Sequence, residues 1–559
     1  MADLFFKKRK RTQELYPNEV FLDSSNLSSF DNQQFEGRIE KAISKSVFAF
    51  FLFFCLLTGV LFIFRMFYLE IIRGPYYQEY AQNNSLNFTP IFPDRGNIYD
   101  RNNKELAWND NGRKYMPAEG LGHLLGYVSL PNARDLTESD YHSQELVGRA
   151  GVERTYNKQL LGTKGVKIEE VTASGKSMAD YIVQKPVSGK DLHLSIDYRV
   201  QNKLYGIIKK LAGEKGFSGG SGVIMDVKTG EILAITSFPE FDSNIMSVAT
   251  NTAKINQYLN DKTTPLLDRA VSGLYTPGSI FKTFVAVGAL VENVITPEKV
   301  IHTTGKISVP NPYDKTKETI FKDWKNHGDV DMRKAIAVSS DVYFYEVGGG
   351  FGSQKGLGIE KIGQYALKYG LSLKTGIDLL GEEDGVIATP AWKAKNFDGE
   401  PWRLGDTYHT AIGQYGTQVT PIQMARAYAA VANNGFVIEP TVRKITPTEI
   451  KIQSTVSVPE RYLTVVKEGL RLDVMEGTAT ALNVPEVKVS AKTGTAELGI
   501  TKVRVNSWVA GYFPSDKPRY SFTIVMERGE RDNLVGSVYV MRQLLDWMTI
   551  NTPEYLKEI

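Results

Sequence analysis

An uninterrupted apolar run at residues 47–64, VFAFFLFFCLLTGVLFIF, constrains the fold of this chain more than any other feature. The run contains no charged residue, and residues 66–69 extend it beyond Arg65. As a helix it would be about 27 to 33 Å long, which matches the hydrocarbon core of a bilayer. We therefore predict one transmembrane helix at residues 47–69, preceded by a cytoplasmic tail at residues 1–46.

Two other interpretations of the apolar run are weaker. A cleaved signal peptide normally begins nearer the N-terminus, is shorter and ends in small residues. A helix of a soluble core would carry a polar stripe, and this segment is apolar on every side. Basic residues before the run, including KKRKR at residues 7–11, favour a cytoplasmic N-terminus. We therefore expect a single pass through the cytoplasmic membrane, with the rest of the chain on its extracytoplasmic side.

Outside this run, the composition is that of folded domains. Hydrophobic residues make up 42% of the 559 residues and charged residues 23%, which is enough for two or three packed domains. The net charge of +3 is small and the basic residues are interleaved with acids, so we expect no nucleic-acid partner. The single cysteine, Cys55, lies inside the apolar run, which excludes an intrachain disulfide and a cysteine-based zinc site outside the run.

Local patterns divide the chain after the apolar run into two modules. Residues 70–190 contain short mixed segments, such as HLLGYV and GRAGVERTYNKQLLG, which indicate a small α+β module beside the membrane. Residues 191–559 contain strand patterns near both ends and long helical stretches at 280–294, 332–347 and 421–434. Strands at both ends with helices between them indicate one α/β domain built on an antiparallel sheet.

The triplet Lys-Thr-Gly occurs three times, and the neighbourhood of each copy decides its interpretation. The copy at Lys228 lies at the turn of a predicted hairpin, where glycine supplies a positive φ. The copy at Lys374 follows a helical segment and is interpreted as a connector. The third copy, at Lys492, ends an alternating strand and is followed by Thr495, so only this copy reads Lys-Thr-Gly-Thr.

A second candidate motif, YTPGSIFKTF, lies earlier in the chain. It contains Ser279 and Lys282, the only serine of the sequence with a lysine three positions later. Thr276-Pro277-Gly278 interrupts the chain before an apolar helix, and positions i and i+3 lie on one side of such a helix. Ser279 could be an ordinary N-cap. A cap needs no lysine, however, and an unpaired Lys282 on a buried helix would be costly, so a catalytic pair is the better interpretation.

With Ser339 and Asp341 in AVSSDVYFY, these motifs form the ordered set Ser-x-x-Lys, Ser-x-Asp and Lys-Thr-Gly, and the sequence resembles the penicillin-binding proteins. Many relatives have asparagine at the position of Asp341. An aspartate there resembles the class B, monofunctional members of the elongation type, such as penicillin-binding protein 2. The stretches RGNIYDRN, GRAGVERTYN, LSIDYRVQ, DVKTGEILAITSFPEFDSN and IGQYGTQVTPIQMARAYAAVANNG are also similar to that family.

The resemblance implies a fold for each module. Residues 70–190 would be a pedestal that resembles a dimerisation domain. Residues 191–559 would be a penicillin-binding transpeptidase domain of the serine β-lactamase type, with an antiparallel sheet flanked by helices.

The activity implied by the resemblance is acyl transfer on the D-Ala-D-Ala end of a peptidoglycan stem peptide, with β-lactams as covalent inhibitors. Ser279 would be the nucleophile and Lys282 its base. That role requires burial and the second cation, Lys492, to hold the pKa of Lys282 well below its ordinary value. Ser339 would pass the proton to the leaving amine, and Asp341 would orient the cluster.

The resemblance also implies how the substrate is held. Lys492, Thr493 and Thr495 would bind a substrate carboxylate by charge and hydroxyl donors, with Gly494 in the same strand. The backbone N–H groups of Ser279 and Thr495 would form the oxyanion hole, and the strand edge would accept the peptide as an added strand. We expect no cofactor.

The sequence departs from the family in two places. Relatives carry a long head insertion where this chain has only residues 107–117, which puts contacts through that head in doubt. Some relatives of the penicillin-binding protein 2 type bind zinc near the second motif through a cysteine. Cys55 cannot supply that ligand, although Asp323 and His327 lie near the motif, so we predict no metal site.

Partners are also implied by the resemblance: peptidoglycan stem peptides, β-lactams, the lipid bilayer, a SEDS-type glycan polymerase and other elongation-complex proteins. Two alternatives stay open, a division-type transpeptidase and a non-catalytic scaffold of the cell-wall synthesis complex. Loss of a motif residue would favour the scaffold, and none is lost. A β-lactamase would need a deacylating Glu-x-x-Leu-Asn stretch, which the sequence lacks, and a β-lactam sensor would need a larger cytoplasmic part than 46 residues.

Overall fold

The computed structural model describes residues 44–138, 141–171, 177–248, 251–311, 313–314, 316–499 and 501–557. Residues 1–43 of the predicted tail, with its basic run, therefore lie outside the described residues. The chain divides into two compact units, one of Met1–Asn87 with Glu169–Ala179 and one of Phe88–Ile168 with Asp180–Ile559.

The first unit contains the apolar helix. Helix Lys45–Phe67 begins at the N-cap Ser44, continues as a π-helical turn at Tyr68–Ile72, and is followed by helix Gly74–Ser85. Within the described part of the chain, Lys45–Ile72 is the one helix long and apolar enough to cross a membrane, with a mean hydropathy of 2.8 and no buried residue. The predicted span at 47–69 lies inside this helix. The helix starts earlier because the Ser44 hydroxyl accepts a hydrogen bond from the Val47 N–H at 3.4 Å.

An antiparallel five-stranded sheet forms the centre of the second unit. In spatial order its strands are Ile232–Phe238, Gly219–Asp226, Tyr520–Glu530, Arg504–Phe513 and Ser490–Leu498. The sheet thus combines two early strands with three strands from the end of the chain, as the sequence pattern predicts. The first Lys-Thr-Gly triplet lies in the hairpin that joins the two early strands, so its structural interpretation is confirmed.

Helices cover both faces of this sheet. Successive buried residues alternate between two cores: Val223 and Val525 belong to one, Ile224 and Ile524 to the other, because side chains of a strand point to opposite faces. Helix Pro421–Ala432 packs on the first face; helices Tyr198–Lys215 and Ser537–Asn551 pack on the second. This three-layer arrangement places the strand Ser490–Leu498 at an edge of the sheet, beside the candidate motifs.

Short elements make up the segment before this sheet. Strand Glu105–Asn109 pairs directly with Arg113–Tyr115, so this region is a tight hairpin. The other elements up to residue 193 are the strands Leu86–Ile91, Ile98–Tyr99, Val128–Ser129, Val147–Gly148, Gly165–Val171, Ser177–Gln184 and Leu192–His193, and the helices Gly122–Leu125, Ala133–Glu138, Gly151–Thr155 and Asn157–Leu161.

The predicted helix at 332–347 is wrong in one respect, because the structure has two helices there, Met332–Ala337 and Asp341–Gly349. Ser339 between them has a φ of 56°, which no helix allows, and the Ser340 side chain caps the second helix. The remaining helices are Ser243–Val248, Thr252–Asn260, Lys282–Val291, Ile359–Lys368, Pro390–Asn396, Leu404–Ala411 and Glu460–Glu476, and the remaining strands are Ile301–Thr303, Lys306–Pro310, Glu318–Lys322, Gly328–Val330, Phe436–Ile438 and Ile452–Thr455.

Candidate active site

Ser279 lies in a 3-10 turn at the start of a buried helix. The turn, Gly278–Phe281, leads into helix Lys282–Val291, and the backbone N–H of Lys282 donates to the Ser279 carbonyl. Gly278 has a φ of 58°, a conformation that favours glycine, so the chain enters the helix sharply after Pro277. The turn leaves Ser279 partly exposed while Lys282 is completely buried.

The Lys282 ammonium is surrounded by groups of the second motif. Its Nζ donates to Asp341 Oδ1 at 2.6 Å and to the Ser339 carbonyl at 2.8 Å, and it lies 3.4 Å from Ser339 Oγ. The ring of Phe344 lies beneath it, with 5.5 Å between Nζ and the ring centroid. The first and second motifs therefore meet at one buried lysine, as the sequence reasoning expects.

The break between two helices positions the second motif. The positive φ of Ser339 turns its carbonyl and hydroxyl to Lys282, and Asp341 follows at the first turn of the next helix. Asp323 fixes this break, because its Oδ2 accepts from Ser340 Oγ and from the Val342 N–H, both at 2.9 Å. Burial raises the pKa of the Asp341 carboxyl, and the positive charge of Lys282 acts against this rise.

The third motif lies on the edge strand Ser490–Leu498, directly against the first. A Cβ on Gly494 would come within 2.8 Å of the Pro277 carbonyl, and one on Gly278 within 2.9 Å of the Thr495 carbonyl. The Gln414 side chain also donates to the Thr495 carbonyl, at 3.3 Å. Two glycines thus allow the strand and the turn to touch, which brings Ser279 beside the Lys-Thr-Gly strand.

Lys492 is buried near Lys282, but a separate carboxylate holds it. Burial lowers the pKa of Lys492 most strongly, and repulsion from Lys282 acts in the same direction. Its Nζ donates to Asp473 Oδ2 at 2.8 Å, and both side chains are fully buried. On this strand the Thr493 side chain is half-buried and that of Thr495 is exposed. The structure therefore gathers Lys282, Ser339 and Asp341 in one buried cluster and places the turn of Ser279 against the strand of Lys492, Thr493, Gly494 and Thr495.

Asp473 and Thr478 are site neighbours that the sequence reasoning missed. Thr478 Oγ1 lies 2.5 Å from Thr493 Oγ1, and Asp473 is the counter-ion of Lys492. One signal was present in the sequence: Val466, Leu470 and Asp473 share one helical face, and an acid on an otherwise apolar face needs a buried partner.

Asp323 and His327 do lie together, with 3.4 Å between Oδ1 and Nε2. In the described portion of the chain, no group of three or more His, Cys, Asp or Glu residues could hold a metal ion. Asp323 instead supports the second motif through its bonds to Ser340 and Val342.

Substitution of Gly278 should damage the contact between the first and third motifs. We expect Gly278→Ala to lower stability by about 1 to 2 kcal/mol through its positive φ. It should also slow acylation about 10- to 100-fold, because the new Cβ displaces Thr495. Thermal unfolding and the rate of labelling by a fluorescent penicillin measure the two effects.

The matched control is Gly213→Ala, in helix Tyr198–Lys215, where a Cβ would have no neighbour within 4 Å. It should leave labelling unchanged and stabilise the protein by about 0.5 to 1 kcal/mol. Equal labelling rates for Gly278→Ala and Gly213→Ala would contradict the assigned contact.

A partly exposed serine beside a buried lysine, a Ser-x-Asp turn and a lysine-bearing edge strand define a serine acyl-transfer enzyme. Two family profiles match this chain, "Penicillin binding protein transpeptidase domain" at residues 220–546 and "Penicillin-binding Protein dimerisation domain" at residues 110–194. The chain therefore belongs to the penicillin-binding protein transpeptidase family, and the resemblance and the fold that it implied are confirmed.

Individual relatives refine this assignment. The peptidoglycan D,D-transpeptidase MrdA of Haemophilus influenzae is 29% identical, over 85% of this chain and 87% of its own length. A chain of the complex between penicillin-binding protein 2 and MreC from Helicobacter pylori is 27% identical with a TM-score of 0.71, covering 84% of this chain and 99% of that one. A chain from a peptidoglycan synthase complex that coordinates polymerization and crosslinking is 26% identical with a TM-score of 0.68, covering 92% and 99%. The chain is thus a class B transpeptidase of the penicillin-binding protein 2 type.

Proposed function

We propose that this transpeptidase cross-links peptidoglycan stem peptides during cell elongation, through an acyl-enzyme on Ser279. The observation that carries this proposal is the convergence of three sequence-distant motifs. Lys282 is buried one turn from Ser279, bonded to Asp341 and Ser339, and the Lys-Thr-Gly strand touches the same turn. A scaffold without catalysis would have no use for a buried lysine in this position.

In the acylation step, Ser279 Oγ attacks the carbonyl of the penultimate D-Ala. Lys282, held by Asp341 Oδ1 and the Ser339 carbonyl, would accept the serine proton as the general base. An ester bond forms between Ser279 and the peptide, and the amide bond to the terminal D-Ala breaks.

Proton transfer to the leaving amine needs a relay. The Ser339 hydroxyl, 3.4 Å from Lys282 Nζ, would pass the proton on. In the second step, an amine of a neighbouring stem peptide attacks the ester, gives its proton back through the same groups and restores the Ser279 hydroxyl. The product is a new amide cross-link.

The edge strand would hold the substrate. Lys492, Thr493, Gly494 and Thr495 lie along it, and because this strand ends the sheet, a peptide could add to its free side. The N–H groups of Ser279 and Thr495 would stabilise the tetrahedral oxyanion.

Product analysis tests the proposed reaction. The purified full-length protein in detergent is incubated with peptidoglycan strands whose stem peptides end in D-Ala-D-Ala. The products are then separated and identified by mass spectrometry. We expect free D-Ala and cross-linked dimers in equal amounts. If neither forms while the protein still takes up labelled penicillin, the protein acylates without cross-linking, and the proposal in this form is wrong.

We also propose where the protein acts and with what. The helix Lys45–Ile72 would cross the cytoplasmic membrane with the N-terminus inside and the transpeptidase domain outside, next to its peptidoglycan substrate. The similar chains come from a complex with MreC and from a peptidoglycan synthase complex, which supports elongation-complex partners for this protein. The family resemblance implies that a SEDS-type glycan polymerase would be one of them. The short hairpin at residues 105–115 leaves little room for contacts through a head insertion.

Exchange of the transmembrane segment tests the polymerase partnership. We replace residues 47–69 by an unrelated apolar helix of the same length, which keeps the protein in the membrane. If side chains of this helix contact the polymerase, the two proteins should no longer co-purify, while penicillin labelling stays normal. Co-purification that survives the exchange would place the contact elsewhere.

A further inference from the structure

A buried carboxylate outside the three motifs holds the lysine of the third. Asp473 lies in the last turn of helix Glu460–Glu476, four residues before a loop that reaches the cleft. The side chains of Asp473 and Lys492 have no solvent-exposed surface, and Lys492 Nζ donates to Asp473 Oδ2 at 2.8 Å. The second hydrogen bond of Lys492 among the described residues goes to Thr478 Oγ1, at 3.4 Å.

The other oxygen of Asp473 is fully engaged by the loop that follows its helix. Asp473 Oδ1 accepts from the Thr478 N–H at 2.6 Å, from Thr478 Oγ1 at 2.8 Å and from the Ala479 N–H at 2.8 Å. Three donors on one oxygen fix the plane of the carboxylate. Oδ2 is therefore held in one direction, toward the lysine.

This arrangement also determines the direction of two hydroxyl protons. Thr478 has one hydroxyl proton and gives it to Asp473, because a carboxylate is only an acceptor. The hydroxyl of Thr493, 2.5 Å from that of Thr478, must then be the donor of the pair. Thr493 thus presents lone pairs to the cleft, which suits a peptide N–H of the substrate rather than its carboxylate.

The same loop contacts the segment that leads into the second motif. The Thr478 N–H also approaches the Ala337 carbonyl at 3.3 Å, and a Cβ on Gly477 would meet that carbonyl at 2.1 Å. Ala337 lies two residues before Ser339. A change at Asp473 would therefore reach both motifs.

We propose that Asp473 is a positioning residue for acyl transfer, which keeps Lys492 charged and fixed on the edge strand and, through Thr478, sets the hydroxyl direction of Thr493. The inference rests on the proposed function of Ser279. It goes beyond the three motifs because Asp473 belongs to none of them.

The charges around Lys492 give the direction of the expected pH effect. Burial and the nearby Lys282 lower the pKa of Lys492, whereas Asp473 and, more weakly, Asp341 raise it. Tyr428 faces Asp473 from helix Pro421–Ala432 and is neutral at ordinary pH, since burial raises its pKa. The Asp473 carboxylate is the group that most raises the pKa of Lys492. A neutral residue at position 473 removes that charge, so the Lys492 ammonium should lose its proton at a lower pH.

The experiment measures the rate of acylation by a fluorescent penicillin against pH, for the full-length wild type and the neutral variants Asp473→Asn and Asp473→Ser. In the wild type, the acylation rate should fall on the alkaline side of the profile as Lys492 loses its proton. We expect this alkaline limb to lie about 1 to 3 pH units lower in both variants. Asp473→Glu keeps the charge and should restore the wild-type limb. The position of a limb is independent of the amount of folded protein, so partial misfolding lowers the signal without moving it.

Thr478→Val is the matched control, because it keeps the Asp473 carboxylate and removes the hydroxyl that bridges Asp473, Lys492 and Thr493. Its limb should stay in place while the acylation rate falls about tenfold. If the wild type is acylated normally and the alkaline limb is unchanged in the neutral variants, the role of Asp473 is wrong while the proposed function of Ser279 stands. A wild type that penicillin does not acylate would overturn the proposed function as well.

Discussion

Replacement of Ser279 by alanine should abolish covalent labelling by penicillin and reduce cross-linking by about 10⁴-fold or more, because the variant lacks the nucleophilic oxygen. Ser279 is the serine of the turn that touches the Lys-Thr-Gly strand, one helical turn from the buried Lys282. The Ser339 hydroxyl lies 3.4 Å from Lys282 Nζ, within the break between helices Met332–Ala337 and Asp341–Gly349. Gel fluorescence after incubation with labelled penicillin measures the effect.

The control for this variant is Ser308→Ala. Ser308 lies on the hairpin Lys306–Pro310 and Glu318–Lys322, where its hydroxyl donates to Glu318. That variant should label as the wild type does. Ser279→Ala should unfold at nearly the wild-type temperature, since it removes a single partly exposed oxygen. Labelling that persists in Ser279→Ala would assign the nucleophile to another residue.

Replacement of Lys282 by methionine should have the second largest effect. The neutral side chain has nearly the same shape, so packing is kept while the base is lost. We expect acylation to slow by about 10² to 10⁴-fold. Because Asp341 then loses its counter-ion 2.6 Å away, stability should fall by about 3 kcal/mol.

A second substitution separates these two effects. Lys282→Met combined with Asp341→Asn removes both charges, and a neutral pair costs little in a buried site, so stability should return. Acylation should remain slow, because the base is still absent. Arg269→Met breaks a comparably buried pair with Glu527 at 2.7 Å and should lose stability without a comparable loss of acylation. Recovery of acylation in the double variant would exclude Lys282 as the base.

Patterns of short range made much of the fold predictable. The apolar run predicts the helix Lys45–Phe67 because its length and lack of charge leave few other states. The alternating segments near residues 220–238 and 490–530 predict five strands, and the structure joins them in one antiparallel sheet. The three motifs, singled out by spacing and order, do meet in space.

What the sequence left open depends on pairings between distant residues. An apolar stretch at 332–347 looks like one helix, because no local rule announces that Ser339 adopts a positive φ to face Lys282. Likewise, Asp473 and Lys492 become partners only when helix Glu460–Glu476 packs against the edge strand. The sequence also led us to expect Lys492 to act mainly on Lys282 and the substrate, whereas the structure gives it a carboxylate of its own.

Mass-spectrometric mapping of the penicillin adduct tests the central claim most directly. The full-length protein is incubated with penicillin, digested and sequenced by fragmentation. If Ser279 is the nucleophile of the converged motifs, a single peptide containing residues 278–282 gains the mass of the drug, with the added mass on Ser279. An adduct on Ser339 or any other residue, or no adduct in a folded protein, would contradict the account.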